Sequence, residues 1–511
     1  MSQSICSDKS EVDEKISALF TNAAAVRAVA AAVENTLGPK GLDTMLVDPS
    51  GNIVVTNAGL TILESMDVSH PAARMLISVA RNQHRQAGDG TTTATVIAAS
   101  LINEGLNYVI RGVPVGKVIQ GIDLGIAEAL RLVGERRTLL SGTGDPLLRK
   151  VVLIAGRGNE EIADSVLELA SAFPEEELSG RVFRLSDRIM CRTGMQSGVF
   201  PGLALRKRRL NEHMPERVED AAVLAVDDSL SPEEISEAAM RTEAGYSAYH
   251  EYRESFRRNL RKLVDLGVRV VVSSKSVDKY AEELFTSSGV FVVSRLYGRP
   301  FKDLTDFTGA VPARRGVLDR EPEEIRGLLG HAAVVEEDLE HGHVCLSGGG
   351  GKPLSTYIVG APTDEIAGEK ERIASDAAAS LQSALRGGVV AGGGALEVGL
   401  VPSLRTMREE IGDLRAYGVD CVIEALKRPM SQIITNAGFN ALEKLELVLS
   451  MQSREPGDWG IECEGGTLVD MTGEGVLDSA EIKMNALRSA GEIARMILKI
   501  NTIIKMRQVQ Q

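Results

Sequence analysis

Apolar residues at helical spacing dominate both ends of the chain. An Ala- and Val-rich stretch covers 23–36, a second apolar stretch covers 91–106, and residues 400–511 have the same character. Residues three or four positions apart line one face of a helix, so these segments predict helices. The last long segment, 480–505, has its apolar residues at Ile482, Ala486, Ala490, Ile493, Ile497 and Ile500.

The middle of the chain has a different pattern. A β-branched run from Arg269 to Ser273 predicts a buried strand, a helix is expected from about Val277 to Thr286, and Val290 to Val293 predicts a second strand. This order predicts a β-α-β unit. We therefore expect an α/β block inserted between two helical blocks.

A long polar helix is predicted ahead of this unit. Ser231 is a candidate N-cap, Pro232 suits the first helical turn, and Glu234 completes a capping box. The helix is expected to reach Leu263, with Gly245 as a position where it can be interrupted.

Size and composition narrow the class of protein. A chain of 511 residues exceeds a single hydrophobic core, so two or three domains are expected. No apolar stretch approaches the roughly 20 residues that span a bilayer, and the N-terminal segment lacks a signal-peptide core, so a soluble, intracellular protein is expected. A net charge of −14 and 4% aromatic residues disfavour nucleic-acid binding. Five widely spaced cysteines without a C-x-x-C motif predict reduced thiols.

The strongest local motif is GDGTTT at 88–93, which opens an apolar helix. Glycines let a backbone approach a ligand closely, and the free N–H groups of a helix start attract phosphate. Asp89, between two glycines, is able to hold Mg²⁺. A polar cap turn without a ligand explains the motif equally well.

Two further segments are candidates of lower specificity. LGPKG at 37–41 ends the first long helix, and read alone it favours a helix C-cap and turn. GGG at 392–394 follows a predicted helix, Glu369 to Leu385, that carries Asp376 among alanines. Read alone, this carboxylate favours a solvated face over a functional site.

His341, His343 and Cys345 share one face of a strand, and an exposed strand is favoured over a metal site.

Taken together and in order, these motifs resemble the group II (t-complex type) chaperonin family over nearly the whole chain. Four segments carry the resemblance: 35–63 with LGPKG, 70–92 with AGDGTT, 371–397 with AGGGALE, and 465–500. Among the eukaryotic subunits of that family the delta subunit is the most similar. SMDV at 65–68 and MILKI are also similar to the epsilon subunit, and WGIECEGGTLVDM to the gamma subunit.

The resemblance implies a multidomain α and α/β chaperonin architecture with three nested domains. A helical equatorial domain would take 1–144 and 397–511, and a small intermediate domain 145–202 and 361–396. An apical α/β domain with a helical protrusion would take 203–360. The intermediate domain would bring Asp376 onto a nucleotide bound by the equatorial domain.

The resemblance also implies a role for each site residue. Gly38 and Pro39 would line a bound ATP or ADP, and Asp89 would ligate Mg²⁺. Asp376 would orient and activate the attacking water. The remaining members of the implied nucleotide site are Gly90, Thr91, Thr92 and Thr93 at the phosphates, Gly393 near the adenosine and Asp478 at the ribose.

Two departures from the family pattern affect the expected activity. The family sequence T-N-D-G-A-T-I-L reads T-N-A-G-L-T-I-L here, so Ala58 stands where an Asp would help to place the attacking water. The family's T-S-L-x-S-K aligns with Leu153 to Gly158, which lacks the phosphate-sensing Lys and offers Arg157 instead. Losing one transition-state contact can lower a rate on the order of 100- to 1000-fold.

The expected function is that of a cytoplasmic double-ring chaperonin subunit that folds unfolded proteins with ATP. Its partners would be paralogous subunits in stacked eight-membered rings and clients such as actin and tubulin, with no nucleic acid and no membrane. The alternative is a structural ring subunit that binds nucleotide and client but hydrolyses ATP weakly or not at all. An unrelated ATPase or kinase is disfavoured, since the chain lacks a Walker loop.

Overall fold

The computed structural model describes residues 15–51, 53–233, 242–500 and 502. The chain divides into two compact units. One, here called the helical unit, is formed by Met1–Ala170, Pro174–Asp187 and Glu365–Gln511, and the other, the α/β unit, by Ser171–Phe173 and Arg188–Asp364.

Helices make up most of the helical unit, as the apolar periodicity predicts. The helices that precede the α/β unit are α1 (Lys15–Glu34), α2 (Gly59–Ser65), α3 (Pro71–Ala87), α4 (Thr91–Ile110), α5 (Val115–Arg136), α6 (Pro146–Ala155), α7 (Glu160–Ser171) and α8 (Glu175–Ser179). Those that follow it are α13 (Asp364–Gly387), α14 (Ala395–Glu410), α15 (Ala416–Asn436), α16 (Ala441–Arg454) and α17 (Ala480–Leu498).

Three antiparallel strand pairs complete the helical unit, and the sequence reading missed them. They are β1 (Thr44–Val47) with β2 (Ile53–Thr56), β12 (Val389–Ala391) with β15 (Leu477–Ser479), and β13 (Trp459–Ile461) with β14 (Leu468–Asp470). Each strand is only three or four residues long. Such short runs carry too little alternation to stand out from loops.

The core of the helical unit is built around α4, which packs against α1, α3, α15 and α17. Because α4 is apolar on nearly all sides, it is stable only when other helices surround it. Its side chains Ile97, Leu101 and Ile102 are almost fully buried. The start of α4 is therefore held in a fixed place, and this start is the GDGTTT motif.

The α/β unit has a six-stranded mixed sheet and a smaller three-stranded sheet. The strand order of the large sheet is β5-β10-β9-β6-β7-β8, and that of the small one is β3-β11-β4. Their strands are β3 (Ile189–Thr193), β4 (Gly198–Phe200), β5 (Gly202–Leu205), β6 (Arg217–Val226), β7 (Val268–Ser273), β8 (Phe291–Val293), β9 (Gly330–Asp338), β10 (His343–Gly349) and β11 (Thr356–Ala361). The helices are α9 (Glu243–Asp265), α10 (Lys279–Ser287), α11 (Arg299–Thr308) and α12 (Pro322–Arg326).

The predicted β-α-β unit is present as β7, α10 and β8. The two strands pair in parallel, with Val270 opposite Phe291 and Val272 opposite Val293. The β7 strand is buried along nearly its whole length, as its uninterrupted β-branched run predicts.

The long polar helix is described as α9, with Thr242 as its N-cap. The predicted helix start is wrong: Ser231 and Pro232 are not helical, and the described helix begins after Thr242. The predicted capping-box residue Glu234 lies outside the described residues. Gly245 does not interrupt the helix: its N–H donates to the Thr242 side chain and belongs to the first turn. The C-terminal helix α17 ends at Leu498, and most of its predicted continuation to residue 505 lies outside the described residues.

A close helix crossing in the helical unit depends on two glycines, Gly121 on α5 and Gly418 on α15. A Cβ atom at Gly121 would lie 2.0 Å from the carbonyl oxygen of Arg415 and 2.7 Å from Cα of Gly418. Backbone meets backbone here, so no side chain can turn away to make room. The crossing therefore excludes any larger residue at either position.

We expect Gly121→Ala to destabilise the protein by about 1–3 kcal/mol because it overpacks this crossing. The matched control is Gly134→Ala on the same helix, where a Cβ atom would meet nothing within 4 Å. That change should be neutral or stabilising by up to about 1 kcal/mol, the helix propensity of Ala over Gly. Thermal and denaturant unfolding of the two full-length variants measures the difference, and equal effects would contradict the crossing.

Candidate functional site

A cavity of about 1450 Å³ lies within the helical unit. Its lining comes from segments on both sides of the inserted α/β unit. Every site residue implied by the sequence lines this one cavity: Gly38, Pro39, Asp89, Gly90, Thr91, Thr92, Thr93, Asp376, Gly393 and Asp478.

The glycine-rich turn at the start of α4 forms one wall. Gly88 and Gly90 have φ angles of 78° and 77°, in the left-handed region that favours glycine. A Cβ atom at Gly88 would lie 2.2 Å from Cβ of Ala379, and one at Gly90 would lie 2.6 Å from Ile482. The turn thus brings the first N–H groups of α4, which have no partner within the helix, to the cavity wall. This arrangement attracts an anion.

Asp89 is held in place by neighbours that the sequence reading missed. Ser380 Oγ donates to Asp89 Oδ2 at 2.9 Å, and the N–H of Gly90 donates to Oδ1. Gln83, which is fully buried, donates from Nε2 to the backbone oxygen of Asp89 at 2.9 Å and to that of Ile482 at 3.2 Å. Ser380 lies four residues after Asp376 on α13, so helical spacing could have placed both on one face.

Asp89 lies close enough to Asp376 to affect the ionisation of Asp376. Burial raises the pKa of Asp376 well above its usual range, and the charge of Asp89 raises it further. Burial also raises the pKa of Asp89, and the charge of Asp478 adds to this effect. A cluster of carboxylates that resist ionisation in a cleft is typical of a site that receives a cation.

Arg157 is the cation that lies near both carboxylates, and its charge lowers both pKa values in part. It follows α6 with a φ angle of 57°, which is uncommon for a residue other than glycine. Its Nη1 atom is 2.8 Å from Oε1 of Glu369 on α13. Burial works against the ionised form of Glu369, but hydrogen bonds from Thr56 and Arg157 lower its pKa below the usual value.

Ala58, the first departure from the family pattern, lies on the same cavity wall. It is the N-cap residue of α2, and its N–H donates to Thr56 Oγ1 at 3.0 Å. An acidic side chain at this position would enter the cavity, which Asp89, Asp376 and Arg157 also line. The methyl group of Ala58 supplies neither a charge nor a hydrogen bond there.

Another part of the cavity lining is apolar and rich in glycine. A Cβ atom at Gly38 would lie 3.0 Å from Ile433, and one at Gly393 would lie 3.3 Å from Met471. Val476 also lines this part. Asp478 lies beside it on β15, with Oδ2 at 2.8 Å from Nζ of Lys483. The cavity lining therefore includes an apolar, glycine-lined part as well as carboxylates and a helix start.

The donor set fits magnesium bound together with phosphate. No group of three His, Cys, Asp or Glu side chains able to hold a metal alone occurs in the described part of the chain. Mg²⁺ is commonly held by one or two carboxylates, with water and phosphate oxygens as its other ligands. Asp89, fixed beside the start of α4, is placed for that role.

The His341, His343 and Cys345 cluster is not such a metal group. Cys345 is buried and its Sγ accepts from Arg192 at 3.0 Å, while His341 pairs with Asp338. The residues therefore serve local packing and charge pairing. The strand is more buried than the exposed strand that the sequence favoured.

Comparison with known proteins identifies chaperonins that match nearly the whole length of the chain. The model of the TCP-1/cpn60 chaperonin family matches residues 29–508. A thermosome subunit of Pyrococcus horikoshii is 30% identical over 500 residues, which are 94% of this chain and 90% of that protein. The thermosome subunit beta of Archaeoglobus fulgidus is 31% identical over 500 residues, which are 94% of this chain and 91% of that protein.

A solved structure described as a group III chaperonin in the open state is similar in fold and sequence. It has a TM-score of 0.83 and 40% identity, and the match covers 96% of this chain and 99% of that one. The chain belongs to the TCP-1/cpn60 chaperonin family. The predicted multidomain α and α/β chaperonin architecture is confirmed, as is the predicted resemblance to the group II (thermosome-like) chaperonin family. These relatives support a chaperonin subunit with a role in protein folding.

Among the described helices, none is both long enough and apolar enough to cross a bilayer.

We expect Asp376→Asn to stabilise the nucleotide-free protein at neutral pH. The pKa of Asp376 is higher in the folded state than its reference value of 3.8, so its ionised form opposes folding. The gain from Asn should be absent below about pH 4, should grow as the pH rises, and should be complete above the folded-state pKa. Thermal unfolding over a pH series measures it.

Asp145→Asn is the control of opposite sign. Asp145 caps α6, and hydrogen bonds from the backbone of Ser141 and Leu147 lower its pKa. Its stabilising effect should be present above the reference pKa and lost as the pH falls through the lower folded-state pKa. A stability gain in Asp376→Asn that is constant with pH would contradict the electrostatic account.

Proposed function

We propose that this chain is an ATP-driven ring subunit of a chaperonin, which binds unfolded proteins and folds them through nucleotide-dependent movement. The supporting observation is the convergence of Asp89, Asp376 and the start of α4 on one cavity, although Asp376 lies far along the chain from the other two. An apolar slot, a helix start and paired carboxylates suit the base, phosphates and metal of Mg·ATP in turn.

Within this proposal each part of the cavity has one task. Gly38, Pro39 and Gly393 would contact the adenosine end, and Asp478 would accept a hydrogen bond from the ribose. The N–H groups and hydroxyls of Gly90, Thr91, Thr92 and Thr93 would hold phosphate oxygens. Mg²⁺, when bound with the nucleotide, would neutralise phosphate charge, and Asp89 would hold it.

Asp376 is the proposed catalytic residue. It lies on α13 and lines the same cavity as the proposed phosphate site, where its ionised carboxylate would accept a proton from water. Arg157 is placed to act as the cation that the family supplies with Lys. Its partner Glu369 keeps it beside Asp376 before a phosphate arrives.

The larger assembly follows from the family in the same way. We assign 1–144 and 397–511 to an equatorial domain, 145–202 and 361–396 to an intermediate domain, and 203–360 to an apical domain with a helical protrusion. The similar thermosome subunits carry the names alpha and beta, which favours paralogous partners in a hetero-oligomeric double ring of eight-membered rings. Two stacked rings in negative-stain images of the native complex would agree with this architecture, and a monomer would contradict it.

The branch of the family is a further part of the proposal. The 40% identity to the group III chaperonin exceeds the 29–31% identity to the thermosome subunits, so we add a particular similarity to the group III branch within this thermosome-like family. The likeness to the eukaryotic delta subunit, and actin and tubulin as clients, stay predictions of the sequence resemblance. A cytoplasmic location agrees with Cys345, Cys421 and Cys463, which form no disulfide among the described residues.

The second candidate is a ring subunit that binds nucleotide but hydrolyses it slowly. Ala58 removes one carboxylate expected near the attacking water, and Arg157 replaces the sensor Lys with a side chain already paired to Glu369. Mixed rings can tolerate a slow subunit, because ring closure is a collective equilibrium biased by several sites. Binding and hydrolysis therefore need separate experiments.

We expect Asp89→Asn to abolish the contribution of magnesium to nucleotide binding. Wild-type protein should bind ADP more tightly with Mg²⁺ than with EDTA, and loss of the ligand should weaken the magnesium-dependent part by more than about 10-fold. Isothermal titration calorimetry on full-length protein measures both conditions. Asp187→Asn, which changes another carboxylate of the same cavity, should retain the magnesium effect. No ADP binding by the wild type would contradict the proposed function.

We expect Ala58→Asp to raise ATP turnover if wild-type hydrolysis is slow for the proposed reason. Restoring one transition-state contact should raise the rate on the order of 100-fold, with little change in ADP affinity. Asn57→Asp places a carboxylate at the neighbouring cavity position and is the matched control. Steady-state and single-turnover hydrolysis give the rates.

Rings that carry Asp376→Ala in this subunit alone provide the complementary test. If the subunit hydrolyses slowly, total turnover of a mixed ring should fall only slightly. A large fall would contradict slow hydrolysis and would favour a fully active subunit, as would an Ala58→Asp variant no faster than Asn57→Asp.

A further inference from the structure

Three charged side chains form a continuous series from the interior of the helical unit to the cavity wall. Lys483 Nζ lies 2.8 Å from Oε1 of Glu397 and 2.8 Å from Oδ2 of Asp478. The side chains of Glu397 and Lys483 are 2% and 9% exposed, whereas that of Asp478 is 29% exposed. Lys483 and Asp478 line the cavity, and Glu397 lies behind them.

Stability alone does not account for this series. Removing an ammonium group and a carboxylate from water costs several kcal/mol per ion, and apolar residues of similar volume are often at least as stable. Lys483 also lies near the N-terminus of α17, the end at which the helix dipole opposes a cation. Oε2 of Glu397 is buried without a hydrogen-bond partner among the described residues.

Lys483 is nevertheless charged, and its charge is directed at Asp478. Burial works against the charged form, but the neighbouring charges of Asp478 and Glu397 raise the pKa of Lys483 above its usual value. Asp478 lies on β15, paired with Val390 of β12. A Cβ atom at Gly392 would lie 3.2 Å from Cγ of Asp478, so the glycine loop leaves room on that side of the carboxyl group. Lys483 is therefore the group that fixes the rotation of this carboxylate.

We infer that Glu397 and Lys483 are positioning residues that orient Asp478 to recognise a ribose hydroxyl. Glu397 holds Lys483, and Lys483 holds Oδ2 of Asp478, which leaves Oδ1 as the acceptor on the cavity side. The inference rests on the proposed nucleotide function and adds a specificity to it: the site selects ribonucleotides over deoxyribonucleotides. Without Lys483 the carboxylate is free to rotate and to bind water, and its hydrogen bond to the hydroxyl loses direction.

Two effects of Lys483 on binding have to be separated. Lys483 also offsets the charge of Asp478, which lies near enough to Asp89 to raise the pKa of that group. Losing this offset would weaken the binding of every nucleoside diphosphate to the same extent, since all carry the same phosphates. Loss of the orientation of the Asp478 carboxylate would weaken the binding only of nucleotides that present the recognised hydroxyl. The ratio of two dissociation constants therefore reports orientation alone.

The experiment measures dissociation constants of ADP, 2′-deoxy-ADP and 3′-deoxy-ADP with Mg²⁺ by isothermal titration calorimetry on the full-length protein. The wild type should bind ADP about 10-fold or more tightly than at least one deoxy form, as a hydrogen bond to a charged group provides. In the double variant Glu397→Leu with Lys483→Met, which removes both buried charges together, that ratio should fall to about 1.

Three further variants keep the test decisive. Glu397→Gln keeps an oxygen acceptor for Lys483 and should retain the ratio. Glu397→Asp withdraws the carboxylate from Lys483 and should lower the ratio partway, even if the double variant fails to fold. Arg408→Gln with Asp420→Asn removes an ion pair of the same unit, in which Arg408 Nε lies 3.0 Å from Asp420 Oδ1, and should leave the ratio unchanged.

Several results would overturn the inference. One is a Glu397→Leu, Lys483→Met protein that weakens all three nucleotides equally while keeping the wild-type ratio. Another is a wild type that binds ADP and both deoxy forms with equal affinity, which would leave the nucleotide function intact. A wild type that binds none of the three would instead remove the proposed function itself.

Discussion

The structure depends on holding Asp89 and Asp376 close together in a partly buried cavity. Each carboxylate resists ionisation there, because burial and the neighbouring negative charge both favour the protonated form. Such an arrangement is unfavourable in the empty protein and becomes favourable when a cation arrives. The fold supplies the rigid surroundings, and a bound cation would supply the compensation, so the same interaction would couple ligand binding to the position of α13.

The apolar helices explain how this arrangement can be rigid. The start of α4 is fixed because the rest of α4 is enclosed by α1, α3, α15 and α17. Glycines then allow the close approaches around it: Gly88 against Ala379 of α13, and Gly90 against Ile482 of α17. The approach of Gly88 to Ala379 places Asp89 beside the helix that carries Asp376. The same close packing of helices therefore stabilises the core and determines the geometry of the site.

Charge is distributed unevenly along the cavity. Its apolar part includes Ile433 and Met471. The carboxylates have cations beside them, because Arg157 lies near Asp89 and Asp376 and Lys483 pairs with Asp478. Arg157 is partly exposed and paired with Glu369, so it can exchange partners. Lys483 is buried between two carboxylates and cannot. The first suits a response to a ligand, and the second suits a fixed orientation.

By itself the sequence determined the helical blocks and the β-α-β unit, because apolar periodicity is a local signal. The list of candidate site residues came from the resemblance of the motifs, taken together, to a known family. It did not reveal the short strand pairs β12–β15 and β13–β14, because their runs are too short to alternate, and the two strands of β12–β15 are also distant in sequence. Read alone, Asp376 resembled a solvated helix residue. No local pattern in the sequence indicated a role for Gln83, Ser380, Lys483 or Glu397. Only the tertiary structure gave these side chains their roles, because burial, pKa shifts and ion pairs arise between segments that meet on folding.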